Sequence, residues 1–155
     1  MQEAIYEIVN IKQEIFNWDR PVIKVTGVAD VVDFIVSEIG FEDRKVCLAL
    51  MLNTKLEVIA THRYSVGSLD SSIVHPREAL KAAILNNACG VILCHQNTSG
   101  AMDVSKDDYL VYERMKEACY IVGIDLLDYL IVTYKSEYRS LREIGDLERR
   151  TILNP

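Results

Sequence analysis

Apolar residues along this chain recur with two periods, near two and near 3.6, and the two patterns alternate from one end to the other. "AIYEIVNI", residues 4–11, alternates apolar and polar positions and predicts a first strand. "VADVVDFIVSEIG", residues 28–40, carries apolar residues at helical spacing, with Gly40 where a helix C-terminus favours glycine. "KVCLALMLN", residues 45–53, is too apolar for an exposed edge and predicts a central strand covered on both faces. After a short turn at Asn53 and Thr54, "EVIATHRYSVG" predicts the next strand.

"HPREALKAAILNNACG" predicts a helix that opens on Pro76, whose fixed φ and missing N–H suit the first helical position, and that ends at Asn86 and Asn87. "GVILC" is a short buried strand, and a polar loop is expected from His95 to Val104. Ser105 and Asp108 have capping-box spacing, so the next helix runs from Lys106 to about Val122 and closes at Gly123. Its inner face is expected to hold Val111, Met115, Ala118 and Val122. "IDLLDYLIVTYKSEYRSL" adds a buried strand, a turn and a shorter strand. The alternation predicts a single α/β domain over residues 1–155, with residues 1–20 and 144–155 as extensions. Its mixed, curved sheet would separate the first and third helices from the second.

Composition narrows the function classes. The chain has 155 residues, half of them hydrophobic, and no charge-free apolar run long enough to span a membrane. The N-terminus "MQEAIYEIVNIKQEIF" has acids where a signal peptide has a basic start, so a cytoplasmic protein without a membrane partner is expected. A formal net charge of −6 disfavours nucleic acid, since phosphate contacts supply most non-specific affinity. The C-terminal "LREIGDLERRTILNP" carries an arginine pair, read as a solvated end and not as a nucleic-acid site.

The four cysteines, Cys47, Cys89, Cys94 and Cys119, form no C-x-x-C pair and read as small buried hydrophobes of a reducing compartment. Cys94 and His95 are adjacent on a strand and so face opposite ways, which rules against a nucleophile–base couple. His62 lies on a charged strand edge and His75 beside the start of a helix. The eight tyrosines are expected mostly in core packing.

The run "YSVGSLDSSIVHPREALKAAILNNACGVILCHQNTSG", then "VSKDD", then "VGIDLLDYLIVTYKSEYRSLRE", resembles the RadC family, a bacterial branch of the JAB/MPN (JAMM) metalloprotease fold. The resemblance extends from about Val22 to Glu143. It implies a loop reading His-x-His-Pro-Ser-Gly, a following Ser-x-x-Asp, and a glutamate on an earlier strand. In such a site two histidines and the aspartate hold zinc, and the glutamate serves the metal-bound water as acid and base.

Carried over residue by residue, His95 stands at the first histidine, Asp108 at the aspartate and Ser105 at the serine. Asn97 stands at the second histidine and Thr98 at the proline. Counting back from "LMLNTK", Lys45 stands at the glutamate, and Asp128-Tyr129 stands where the family has Asp-His. An amide is a poor zinc donor, and an ammonium group repels a metal. Glu42, three residues along the strand from Lys45, is displaced and on the other face, so it cannot stand in.

His95 and Asp108 are therefore the candidate metal residues, Lys45 and Ser105 the family's catalytic positions, and no cofactor is expected, with zinc the metal in question. The expected function is a catalytically inactive module that binds a protein partner. The alternatives are a zinc-dependent isopeptidase with an atypical site and, third, a DNA-repair role. Whether the chain forms a homo-oligomer is left open.

Overall fold

The computed structural model describes residues 4–9, 21–67 and 74–145. In chain order these form α1 (Ala29–Ile35) continued by a π-helical turn (Val36–Gly40), β1 (Lys45–Leu52), β2 (Val58–Gly67), α2 (Pro76–Leu85), β3 (Gly90–Gln96), α3 (Lys106–Val122), β4 (Asp125–Val132) and β5 (Tyr138–Ser140). The five strands make one open mixed sheet in the order β2-β1-β3-β4-β5, parallel only between β3 and β4. Register shifts interrupt both the β1–β2 and the β3–β4 ladders, and such irregularities bend a sheet locally.

β1 is central and buried along nearly its whole length, as its composition requires. Its side chains alternate between two cores. Val46, Leu48, Leu50 and Leu52 join Ile92, Cys94, Leu130 and Val132 beneath α1. Cys47, Ala49 and Met51 join Leu93, Tyr129 and Ile131 beneath α2 and α3. Cys94 and His95 do face opposite ways: the thiol is in the first core and His95 reaches Tyr129 in the second.

The helices are distributed differently from the expectation. Among the described residues α1 and the segment leading into it cover one face, and α3 shares the other with α2. Handedness explains it. β2 and β3 are both antiparallel to β1 and hence parallel to each other, so α2 and α3 are successive crossovers between parallel strands that step across the sheet in the same direction. Right-handed crossovers of that kind place their helices on one face.

The helix ends follow local chemistry. His75 is the extended N-cap residue of α2 and Pro76 its first helical residue. The Ser105–Asp108 capping box of α3 is formed on both sides, and Gly123 closes the helix at φ 83°. Gly40 does not work this way. Its φ is not positive; instead a Cβ there would lie 2.7 Å from Val36 Cγ1, so glycine is needed for packing.

Three further expectations are corrected. Residues 4–9 form no strand, and Ile5, Tyr6, Ile8 and Val9 are exposed, because alternation alone supplies no ladder partner. The rest of that extension, residues 1–3 and 10–20, lies outside the described residues, as does the C-terminal tail from residue 146 with its arginine pair. β3 continues past Cys94 to include His95 and Gln96, both buried. The Gln96 amide takes ladder-like bonds, accepting from the Val46 N–H and donating to the Arg44 carbonyl, which lets a polar residue finish a buried strand. Finally, α3 buries Val111, Tyr112, Met115 and Cys119, whereas Val122 is exposed.

Tyr64, Tyr112 and Tyr129 are buried, and Tyr109 and Tyr138 pack against the cores. Cys47, Cys94 and Cys119 are buried free thiols and Cys89 is half-buried. Burial pushes the Cys47 and Cys94 thiols up and takes Cys119 to about 11, so these three are poor nucleophiles.

Candidate functional site

The β1–β3 register pairs Cys47 with His95. Two residues before Cys47 is Lys45, the first residue of β1 and on the same face, and Asn97 begins the loop just past the end of β3. α3 begins over this end of the sheet, because the loop after Gln96 delivers Ser105 as its N-cap. Lys45, His95 and Asp108 are brought together by that arrangement, although they come from two strands and a helix.

Asp108 carries two duties with one carboxylate. Its Oδ2 accepts from the Ser105 N–H at 3.0 Å, closing the capping box at the helix N-terminus, where negative charge is favoured. Its Oδ1 faces inward, 3.5 Å from His95 Nε2 and 3.7 Å from the Lys45 ammonium nitrogen. The Lys45 and Asp108 side chains are only 14% and 7% exposed. Such a pair is poorly screened, and either charge alone there would be costly.

His95 is fully buried, with Nδ1 2.9 Å from the Tyr129 hydroxyl and its ring edge-on to the tyrosine ring. Its Nε2 is buried without a hydrogen-bond partner. Burial, then the Lys45 charge, lowers the His95 pKa to about 3, and Asp108 opposes them only in part. The imidazole is neutral at physiological pH. Tyr129 stays a neutral phenol, since burial raises its pKa well above the ordinary value.

Asn97 is committed elsewhere. Its amide nitrogen donates to the carbonyls of Ala101 and Asp103 at 2.9 and 3.2 Å, clamping the loop before α3. Ser99 and Gly100 make the turn inside that loop, with Gly100 at φ 77° against the Tyr134 ring. With Thr98 in the turn, the Gly100 N–H donates to the Asn97 carbonyl at 3.1 Å and closes it.

The implied zinc needs three protein donors and an open corner. Here two donors converge, the third position is turned into the loop, and a cation already occupies one face of the carboxylate. Among the described residues no group of three or more His, Cys, Asp or Glu is placed to hold a metal. The residues present do not fit zinc. Glu42 offers no replacement, because it pairs with Arg63 at 2.9 Å. His62 and His75 are not in the cluster; they lie on the edge strand β2 and at the start of α2.

Two participants escaped the sequence reading. Tyr129 was visible only as a departure from an Asp-His pair, and its contact with His95 depends on the parallel β3–β4 register, which places it beside Leu93. Its neighbour Asp128 turns to the other side and accepts from the Tyr129 N–H and the Ser140 hydroxyl. Gln96 was assigned to a loop that in fact begins after it.

This geometry sits within a family match that covers most of the chain: residues 25–146 match the model of the RadC-like JAB domain. The chain belongs to that family. Among its relatives, a "UPF0758 protein" of Desulforamulus reducens is 40% identical over 75% of this chain and 51% of its own length. One from Thermotoga maritima is 41% identical over 71% of this chain and 49% of its own. One from Rubrobacter xylanophilus is 43% identical over 84% and 56%. The chain thus spans about half the length of the curated relatives it matches.

Proposed function

We propose that this chain is a RadC-like JAB domain that has exchanged metal-dependent hydrolysis for protein recognition. The observation that carries the reading is the Lys45 ammonium at the Asp108 carboxylate, where a hydrolase needs a metal and a basic carboxylate. A neutral, enclosed His95 with one nearby carboxylate supplies neither a third donor nor a base for a metal-bound water.

A protein partner is favoured over nucleic acid by the charge of −6 and by apolar side chains left in water. α2 and α3 each lead into one of the two parallel strands, so their C-termini lie at the same end of the layer, opposite the Lys45–Asp108 cluster. Ile84, Leu85, Tyr120, Ile121 and Val122 are all exposed there. Among the described residues no helix is long and apolar enough to cross a membrane. The unpaired thiols fit a reducing cytoplasm.

The test is the metal content of protein purified without chelator or added zinc, together with assays on peptide and isopeptide substrates. Sub-stoichiometric zinc and no chelator-sensitive cleavage are expected; near-stoichiometric zinc with cleavage would overturn the reading. The second reading, an isopeptidase with an atypical site, draws on the 3.5 Å approach of His95 to Asp108 and would be sustained by that opposite result.

A further inference from the structure

Among the described residues two buried side-chain polar atoms have no hydrogen-bond partner, Tyr64 Oη and His95 Nε2, and the second lies 3.5 Å from the Asp108 oxygen that the Lys45 ammonium group also approaches. We propose that Lys45 is the site's resident cation, neutralising Asp108 in place of a metal, and that Tyr129 is a positioning residue which keeps the His95 proton on Nε2, the nitrogen a metal at this carboxylate would need. This inference rests on the metal-free reading and extends it to the protonation of each group.

The argument starts at the carboxylate. Asp108 Oδ1 lies 3.5 Å from Nε2. A ring lone pair aimed at that oxygen is repelled, whereas an N–H aimed at it is attracted, so in the neutral imidazole the proton sits on Nε2. The lone pair is then on Nδ1, which faces the Tyr129 hydroxyl at 2.9 Å. A phenol donates a good hydrogen bond to an imidazole lone pair, and Tyr129 keeps its proton in this buried setting.

The polarity therefore runs one way: the Tyr129 hydroxyl donates to Nδ1, and the Nε2–H faces the Asp108 charge at 3.5 Å, a charge–dipole contact and not a hydrogen bond. Asp108 also receives the Ser105 N–H and the charge of Lys45. The enclosed Lys45–Asp108 pair sums to zero charge without a metal. Binding a metal through Nε2 would require moving its proton to Nδ1, turning Tyr129 from donor to acceptor and displacing the ammonium group. The first two of these barriers lie in the His95–Tyr129 pair and the third in Lys45; separately, the Asn97 amide held in the loop offers no third donor.

The experiment is NMR of the native protein with nitrogen-15 in its histidine rings. His95 should show a protonated Nε2 and a hydrogen-bonded, unprotonated Nδ1; a proton on Nδ1 overturns the inference. Tyr129→Phe keeps the aromatic ring, and its Nδ1 signal should move to that of a free lone pair. An unmoved signal would show that the hydroxyl does not donate there.

The cation is tested by a double-mutant cycle in urea. Lys45→Met and Asp108→Asn should each destabilise, and the double variant should be more stable than their sum by on the order of tenfold in the folding equilibrium. Strict additivity would remove Lys45 from the role. A metal-free, inactive protein with the proton on Nδ1 would sink this inference alone, whereas zinc-loaded, cleaving protein would sink the functional reading beneath it.

Discussion

Lys45 places its ammonium nitrogen 3.7 Å from Asp108 Oδ1, joining the first residue of the central strand to the first turn of α3. The pair crosses the end of the sheet where the loop from Asn97 to Val104 enters, so the contact also helps to seat α3. The ammonium group supplies a charge that keeps the enclosed carboxylate tolerable.

The buried imidazole predicts a pH dependence of stability. His95 has a folded-state pKa of about 3 against an ordinary value of 6.5. Between these values the unfolded chain binds a proton that the folded chain refuses, so stability falls as pH drops through that window, by up to about 1.4 kcal/mol per pH unit. The contribution is complete above 6.5. Urea unfolding at pH 7, 5.5 and 4.5 should show a steeper decline for native protein than for His95→Gln, a comparison that cancels the carboxylates common to both. Parallel slopes would refute the depressed pKa.

Asp128 predicts a different kind of loss. Its carboxylate is buried and accepts from the Tyr129 N–H at 2.7 Å, the Ser140 hydroxyl and the Arg142 N–H, tying β4 to β5 and to the helical residues 141–145 that follow. Asp128→Ala leaves these donors unpaired and should cost about 3 kcal/mol, whereas Ser140→Ala removes one donor and should cost about 1 kcal/mol. Equal losses in equilibrium denaturation would show that the carboxylate is not the hub.

The alternation of elements, the central place of β1 and both ends of α3 were legible because each rests on local chemistry: an unbroken apolar run, a Ser-x-x-Asp cap and a left-handed glycine. Family spacing located Lys45, His95 and Asp108 together. Tyr129 was not legible as the partner of His95, because strand register is a long-range property that no neighbouring residue encodes. Gln96 looked like a loop residue since its ladder partners, the Arg44 carbonyl and Val46 N–H, are supplied by another strand. The face chosen by α3 follows from crossover handedness, which needs the strand order first.

Gly100 tests the loop. At φ 77°, a Cβ would also come within 2.9 Å of Tyr134 Cε1. Gly100→Ala should therefore destabilise by about 1 to 2 kcal/mol and loosen the turn closed by the Asn97 carbonyl. Faster amide exchange at residues 97–104, with β1 unaffected, is the expected signature. Protection that is unchanged throughout would mean that the loop accommodates the methyl group by moving Tyr134.

Lys45 and Asn97 predict how zinc binding could be built into this site. Asn97→His supplies a third donor, yet Lys45 still opposes a dication at Asp108 and the His95 proton still occupies Nε2. Lys45→Glu with Asn97→His reverses the local charge as well, so calorimetric titration with zinc should rank the double variant above Asn97→His, and that above the native chain. The histidine also gives up the amide bonds to Ala101 and Asp103, so part of the gain is offset by reordering the loop. Adding Tyr129→Phe to the double variant should tighten binding further, since it withdraws the donor that favours the Nε2–H form. Negligible zinc binding by all of them would mean that His95 and Asp108 no longer stand at ligand spacing once Lys45 is gone.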